Sequence, residues 1–209
     1  PVPTGIYYAR HNDDSTVKVR QVGKKEWVDL YEYNVKVDMD TKSDATMVQF
    51  DFSGKVEVLV QKNNGVIRSA VVRPLATGIQ PEIDGNFLLF TIDKPQKLSV
   101  EFNGDRLSNP HVFANPIIEN VPDKNDPNVM YFESGIHEPT DTAGKCFRIP
   151  SNTTVYLEGG AVLKGRLNCD SVENVKILGH GMLLEPQQGI SIAYSKNVLI
   201  EGITVINSR

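Results

Sequence analysis

From residue 129 onward the chain repeats itself with a period of about twenty residues, and this constrains its fold more than any other feature. Val129-Met130-Tyr131-Phe132 leads to Gly135, Thr154-Val155-Tyr156-Leu157-Glu158 to Gly159, Asn174-Val175-Lys176-Ile177-Leu178 to Gly179, and Asn197-Val198-Leu199-Ile200-Glu201 to Gly202. By subtraction these glycines stand 24, 20 and 23 residues apart. Second short apolar runs follow: Ala161-Val162-Leu163, Met182-Leu183-Leu184 and Ile203-Thr204-Val205-Ile206. A short repeat holding several strands and no helix is what a parallel β-helix produces, because each coil buries its inward row only by stacking on its neighbours. Leucine-rich repeats share the period but need a fixed leucine and asparagine register absent here. Four partial coils can be counted, with no polar closing cap. An uncapped solenoid end exposes strand edges and apolar core, so the expectation is a leading fragment of a longer solenoid, or an end that something else covers.

The first 110 or so residues carry a different pattern. Thr16 to Val22 and Lys55 to Val60 alternate apolar and polar residues, and Met47 to Phe52 does so in part. Period-two alternation puts one set of side chains in a core and the other in water, the antiparallel arrangement. Asn63-Asn64-Gly65, Asp84-Gly85 and Asn103-Gly104 supply turn residues; the first is expected to close a tight hairpin between Val56–Gln61 and Val66–Val72. Short, regular strands of this kind suggest two packed sheets. Pro110, Pro116, Pro122 and Pro127 then interrupt the chain around the charged run Asp123-Lys124-Asn125-Asp126, as in a connector. The expected organisation is all-β: an N-terminal antiparallel β-sandwich over 1–112, a proline-rich connector over 113–128, and the first coils of a parallel β-helix over 129–209.

Composition narrows the function. Lys and Arg number 22 against 26 Asp and Glu, a net charge of −4, with no basic stripe to hold a phosphate backbone, so no nucleic-acid partner is expected. Apolar runs such as Phe87-Leu88-Leu89-Phe90 fall far short of the roughly 18 residues of a membrane span. His11, His111, His137 and His180 show no metal-ligand spacing, and Asp13-Asp14 and Asp38-Met39-Asp40 lack the continuation of a calcium loop. Gly159-Gly160 and Gly179-His180-Gly181 open no helix that could hold a phosphate. No metal or cofactor is expected. Cys146 and Cys169 stand 23 residues apart, about one coil, and could share an inward row as small buried residues. Asn152-Thr153-Thr154 is an N-glycosylation sequon, meaningful only in a eukaryotic secretory route.

Three phrases carry a resemblance: Tyr131 to His137, Asn152 to Gly165, and Asn174 to Gly181. They resemble the opening coils of the polygalacturonase-like right-handed β-helix glycoside hydrolases. A β-sandwich feeding through a proline-rich connector into such a helix is similar in layout to the dextranase and isopullulanase branch. The resemblance implies a right-handed helix, a polysaccharide substrate, inverting hydrolysis by aspartates, and secretion or residence in a periplasm. Those aspartates lie on later coils of the family, so none is assigned here and they are expected C-terminal to Arg209. Gly179-His180-Gly181 follows a strand and matches the family's early glycine corner, and is read as a corner.

Two sets of residues remain as candidates. Glu158 and Glu201 each precede a corner glycine and could superficially pair as acid and base, but Leu178 fills the place between them and an outward, solvated row is the favoured reading. Trp27, Tyr31 and Tyr33 form the densest aromatic group, on one face if alternation holds; exposed, they could stack on sugar as substrate-binding residues, and buried they are core. The expected function is the N-terminal portion of a polysaccharide-degrading glycoside hydrolase, the 209 residues themselves being inactive. The alternative is a non-catalytic carbohydrate-binding or adhesion module. Self-association through the open helix end is a further expectation.

Overall fold

The computed structural model describes residues 4–7, 10–37, 43–140 and 144–208. These fold almost entirely as strands, in two compact units: one spans Ala9–Ile117, and the other joins Pro1–Tyr8 with Ile118–Arg209.

The first unit holds β1 (Ser15–Gln21), β2 (Val28–Asp29), β3 (Tyr33–Lys36), β4 (Asp44–Phe52), β5 (Val56–Lys62), β6 (Ala70–Arg73), β7 (Glu82–Asp84), β8 (Phe87–Ile92), β9 (Gln96–Phe102) and β10 (His111–Pro116). They form two five-stranded sheets, β2-β1-β5-β8-β7 and β3-β4-β10-β9-β6. Alternate residues from both sheets meet in one apolar cluster: Val17, Val58, Val60 and Leu88 from the first, and Val48, Val100 and Val112 from the second. The period-two pattern thus does the work expected of it, since a strand with one apolar face has to bury that face against a second layer.

Two local expectations change. Asn63-Asn64-Gly65 is a turn, with Gly65 at φ +89°, but closes no hairpin. β5 pairs with β1 and β8, whereas β6 pairs with β9 in the other sheet. The chain crosses between layers after Gly65 and drops Ile67 into the shared core while Val66 stays exposed. Asp84-Gly85, by contrast, does close a tight hairpin, with Asp84 opposite Phe87. The second difference is that β10 runs parallel to β4, so one pairing in this otherwise antiparallel unit is not antiparallel. Pro110 and Pro116 bracket β10, where a missing N–H is tolerated at a strand end.

The second unit begins with a four-residue helix α1 (Thr4–Tyr7), whose Gly5 lies close against Ile136. Its strands are β11 (Val129–Phe132), β12 (Gly135–His137), β13 (Cys146–Arg148), β14 (Thr154–Leu157), β15 (Ala161–Leu163), β16 (Arg166–Asp170), β17 (Glu173–Gly179), β18 (Met182–Leu184), β19 (Ile190–Ala193), β20 (Lys196–Glu201) and β21 (Thr204–Ile206). Every pairing is parallel, giving three sheets: β11-β14-β17-β20, β12-β15-β18-β21 and β13-β16-β19. This is a β-solenoid of about three turns with a fourth begun. Its interior stacks Val155, Ile177, Leu163, Leu183, Leu167 and Cys169, each fully buried.

Register corrects the glycine count. Leu157 lies opposite Gly179, and Gly135 opposite Ala161, so Gly135 and Gly159 are not equivalent to Gly179 and Gly202. The coils differ in corner length: four steps separate Leu157 from Ala161, while two separate Gly179 from Gly181. Only the strands, which must align to exchange hydrogen bonds, keep a constant register.

Candidate functional site

The aromatic segment from Trp27 to Tyr33 is divided between the sheets of the first unit. Trp27 precedes β2, which pairs with β1, whereas Tyr33 opens β3, which pairs with β4. Trp27 is half-buried, with the Arg20 guanidinium 4.3 Å from its ring centre, a cation–π contact that takes up one of its faces. Arg20 Nε in turn donates to Glu57. Tyr31 and Tyr33 come together edge to face, ring centres 4.6 Å apart, with His11 against Tyr31 at 5.3 Å. Tyr33 is only 4% exposed, and its phenol is pushed up to about 12, by burial first and then by the neighbouring Tyr31. The structure therefore unites two of the three rings, buries one of those, and sets Trp27 on the other sheet.

Around the tyrosines lies a polar cluster that the sequence did not reveal. His11 Nδ1 is 2.8 Å from Asp13 Oδ1 and its Nε2 is 3.2 Å from Glu32 Oε2. Glu32 is buried, and its other oxygen accepts the Val17 N–H at 2.7 Å. Desolvation raises its pKa above the ordinary glutamate value, against the lowering pull of the Val17 N–H and of His11. Asn12 Oδ1 accepts from the Thr46 hydroxyl and the Asp14 N–H, and its amide donates to Asn34. Together these bonds tie the segment ahead of β1 to Glu32 ahead of β3 and to β3 and β4 themselves. Asp14 accepts from Asn64 at a turn, in keeping with the turn role read for the Asp13-Asp14 pair. Asp38-Met39-Asp40 lies outside the described residues.

Four glutamates of the second unit are engaged in structure. Glu158 Oε2 accepts the Ser134 N–H at 2.8 Å, Glu133 pairs with Lys124, Glu138 with Lys164 and Glu173 with Lys196. Glu201 is exposed and stacks over Leu178, which stacks over Tyr156 and Tyr131. Glu158 falls two residues beyond that row, so the two glutamates do not occupy equivalent places. Cys146 and Cys169 also fall out of register: Cys146 lies opposite Arg166, and Cys169 opposite Ile192. Both are buried free thiols, and burial pushes the Cys169 thiol up. Among the described residues no group of three or more His, Cys, Asp or Glu is gathered closely enough to hold a metal, and no helix is long and apolar enough to cross a membrane.

Two further arrangements escaped the sequence reading. Asn152, Asn174 and Asn197 form a ladder at one corner, Asn174 Nδ2 donating to Asn152 Oδ1 (2.9 Å) and Asn197 Nδ2 to Asn174 Oδ1 (2.7 Å). All three have φ between +54° and +57°, a backbone region that asparagine tolerates better than most residues. Their spacing of 22 and 23 residues was the available signal. The other is a groove on the outer face of β6, β9 and β10, which brings together Arg73, Lys97, Ser99, His111 and Phe113. Alternation within each strand was legible, but the side-by-side placement of three distant strands was not.

No family model matches the chain, and no curated protein matches it. Among solved structures it is similar to Dex49A from Penicillium minioluteum, with a TM-score of 0.70 at 15% sequence identity, over 99% of this chain and 59% of that one. The chain thus spans about three fifths of the length of the structure it matches. At this identity the likeness shows the fold alone.

Proposed function

We propose that this chain is the leading part of a polysaccharide-degrading glycoside hydrolase of the polygalacturonase-like, right-handed β-helix kind, closest in layout to the dextranase branch. One observation carries the reading: a parallel solenoid of about three turns with a Dex49A-like fold, whose last coil leaves Ile192, Ile200 and Val205 40–49% exposed where the preceding coil buries their partners Cys169, Ile177 and Leu183. Such a surface suits the stacking of further coils. The engagement of Glu133, Glu138, Glu158 and Glu173 in hydrogen bonds and ion pairs supports placing catalysis elsewhere. The catalytic aspartates belong on those further coils, with carboxyl groups separated by roughly 6.5 to 9.5 Å so that one protonates the leaving oxygen while the other activates a water on the opposite face. In this reading the substrate is a neutral or acidic polysaccharide outside the cytoplasm, and the enzyme is secreted or periplasmic.

The test pairs two measurements on the natural gene product: its intact mass and reading frame, and the hydrolytic activity of the 209-residue chain on dextran, pectin and pullulan. The expected result is a longer parent carrying paired aspartates, and an inactive fragment. Reducing-end release by the fragment itself would overturn the assignment of catalysis to later coils.

A further inference from the structure

The groove on the second sheet of the first unit has a chemistry of its own. It measures about 540 Å³ and opens on the outer face of β6, β9 and β10. Arg73 lies opposite Ser99, and Ser99 opposite His111, in one lateral row, while Lys97 lies opposite Phe113 in the neighbouring row. Residues directly opposite across paired strands point to the same side, so these five side chains share one surface. Leu75 completes a wall and is 65% exposed, on the 3₁₀ turn that follows Arg73.

Two features set this surface apart from ordinary solvated sheet. Its fixed charges are cationic, Lys97 Nζ standing 4.9 Å from the Phe113 ring centre. Glu101, the carboxylate beside the groove, is bound by Arg73 Nε. That bond uses one of the guanidinium's five N–H donors. Burial lowers the pKa of His111, so the imidazole is neutral near pH 7 and serves as a hydrogen-bonding group. An exposed leucine and a half-buried phenylalanine flank these polar groups.

We propose that this groove is a binding site for an acidic saccharide, a pyranose unit carrying a carboxylate. The apolar C–H face of the sugar would rest on Leu75, its carboxylate would meet Lys97, held beside Phe113, and the Arg73 donors that Glu101 does not use, and its hydroxyls would bond Ser99 and His111. A neutral glucan offers no carboxylate to Lys97 or to the Arg73 donors that Glu101 does not use, and a polyanion without a sugar ring makes no use of the apolar wall. Its lining residues all belong to the first unit, and the proposal stands or falls independently of the hydrolase reading.

Calorimetric titration of the 209-residue chain at low salt tests it, with tetragalacturonate, an isomaltotetraose of equal length, and polyglutamate as probes. Saturable binding of tetragalacturonate is expected, weakening as salt rises, with polyglutamate about tenfold weaker or worse and no saturation by the neutral sugar. Lys97→Glu and Leu75→Ser change exposed side chains and leave the core intact; each is expected to weaken binding, by about tenfold for the charge reversal. Equal binding of polyglutamate or of the neutral sugar would overturn the proposal. So would an affinity unchanged by Lys97→Glu, or the absence of saturation at millimolar tetragalacturonate.

Discussion

At the scale of single residues, the strongest constraint is the absence of a side chain. Gly179 has φ +118°, and a Cβ there would lie 2.0 Å from the Leu157 carbonyl oxygen of the coil beneath; at Gly202 the corresponding distance, to the Gly179 oxygen, is 2.4 Å. Backbone cannot yield as a side-chain tip can, so Gly179→Ala is expected to cost about 3 kcal/mol or more, roughly 6–12 °C in Tm. Gly159 meets nothing within 4 Å, and Gly159→Ala is expected to fall within about 0.5 kcal/mol of the native chain. Thermal unfolding followed by circular dichroism separates the pair, and equal losses would refute the steric account. Glu32 supplies a second test, of sign. Its pKa is raised in the folded chain, so the stability it contributes is complete below its unfolded value, near 4.5, and is lost as pH rises through the raised folded value. Gln at this position cannot ionise. Relative to the native protein, Glu32→Gln should therefore gain stability between about pH 4 and pH 7, as read by urea unfolding at both. A stability difference that does not change with pH counts against desolvation as the dominant cause.

At the scale of elements, the asparagine ladder joins corners that the strands alone leave independent. Asn174 is its central rung and makes two side-chain bonds, where Asn197 makes one with it. Replacing Asn174 by alanine forfeits both bonds and places a Cβ-bearing residue without a polar side chain at φ +56°, a loss of about 2 kcal/mol. Asn197→Ala should cost less, and Asn174→Gly, which forfeits both bonds but avoids the backbone strain, should fall between them. Urea midpoints in any other order would show that the ladder is decorative. The sheets of the first unit make a related point: β10 joins β9 antiparallel and β4 parallel, a junction of strands more than 60 residues apart that no local turn residue announces.

At the scale of the whole molecule, each unit has its own apolar cluster, and the two clusters share no residue. The last coil is where that self-sufficiency fails. Ile192, Leu199 and Val205 lie on β19, β20 and β21, each at the edge of its sheet, and Tyr194 beside them is 94% exposed. Exposed parallel edges of this kind recruit other strands. Concentration-dependent association of the 209-residue chain is therefore expected in sedimentation velocity, and Ile192→Lys with Val205→Lys should reduce it. A chain that stays monomeric at high concentration would show that the open coil is tolerated by water.

Sequence alone determined the kinds of structure present. Alternation with period two marked β1, β5 and much of β4, and the recurring Asn-Val and glycine phrases marked a solenoid, because side-chain direction in a strand is a local property and stacking imposes its period on the chain. Register was decided by the tertiary structure. Corner length varies from coil to coil at no cost to strand pairing, so glycine spacing misaligned Gly159 with Gly179, Glu158 with Glu201 and Cys146 with Cys169. The division of Trp27 from Tyr31 and Tyr33 between two sheets, and the meeting of Arg73, Lys97, His111 and Phe113 in one groove, were likewise out of reach. Both depend on which distant strands exchange hydrogen bonds, and that choice is made by the burial of whole faces rather than by any segment's own residues.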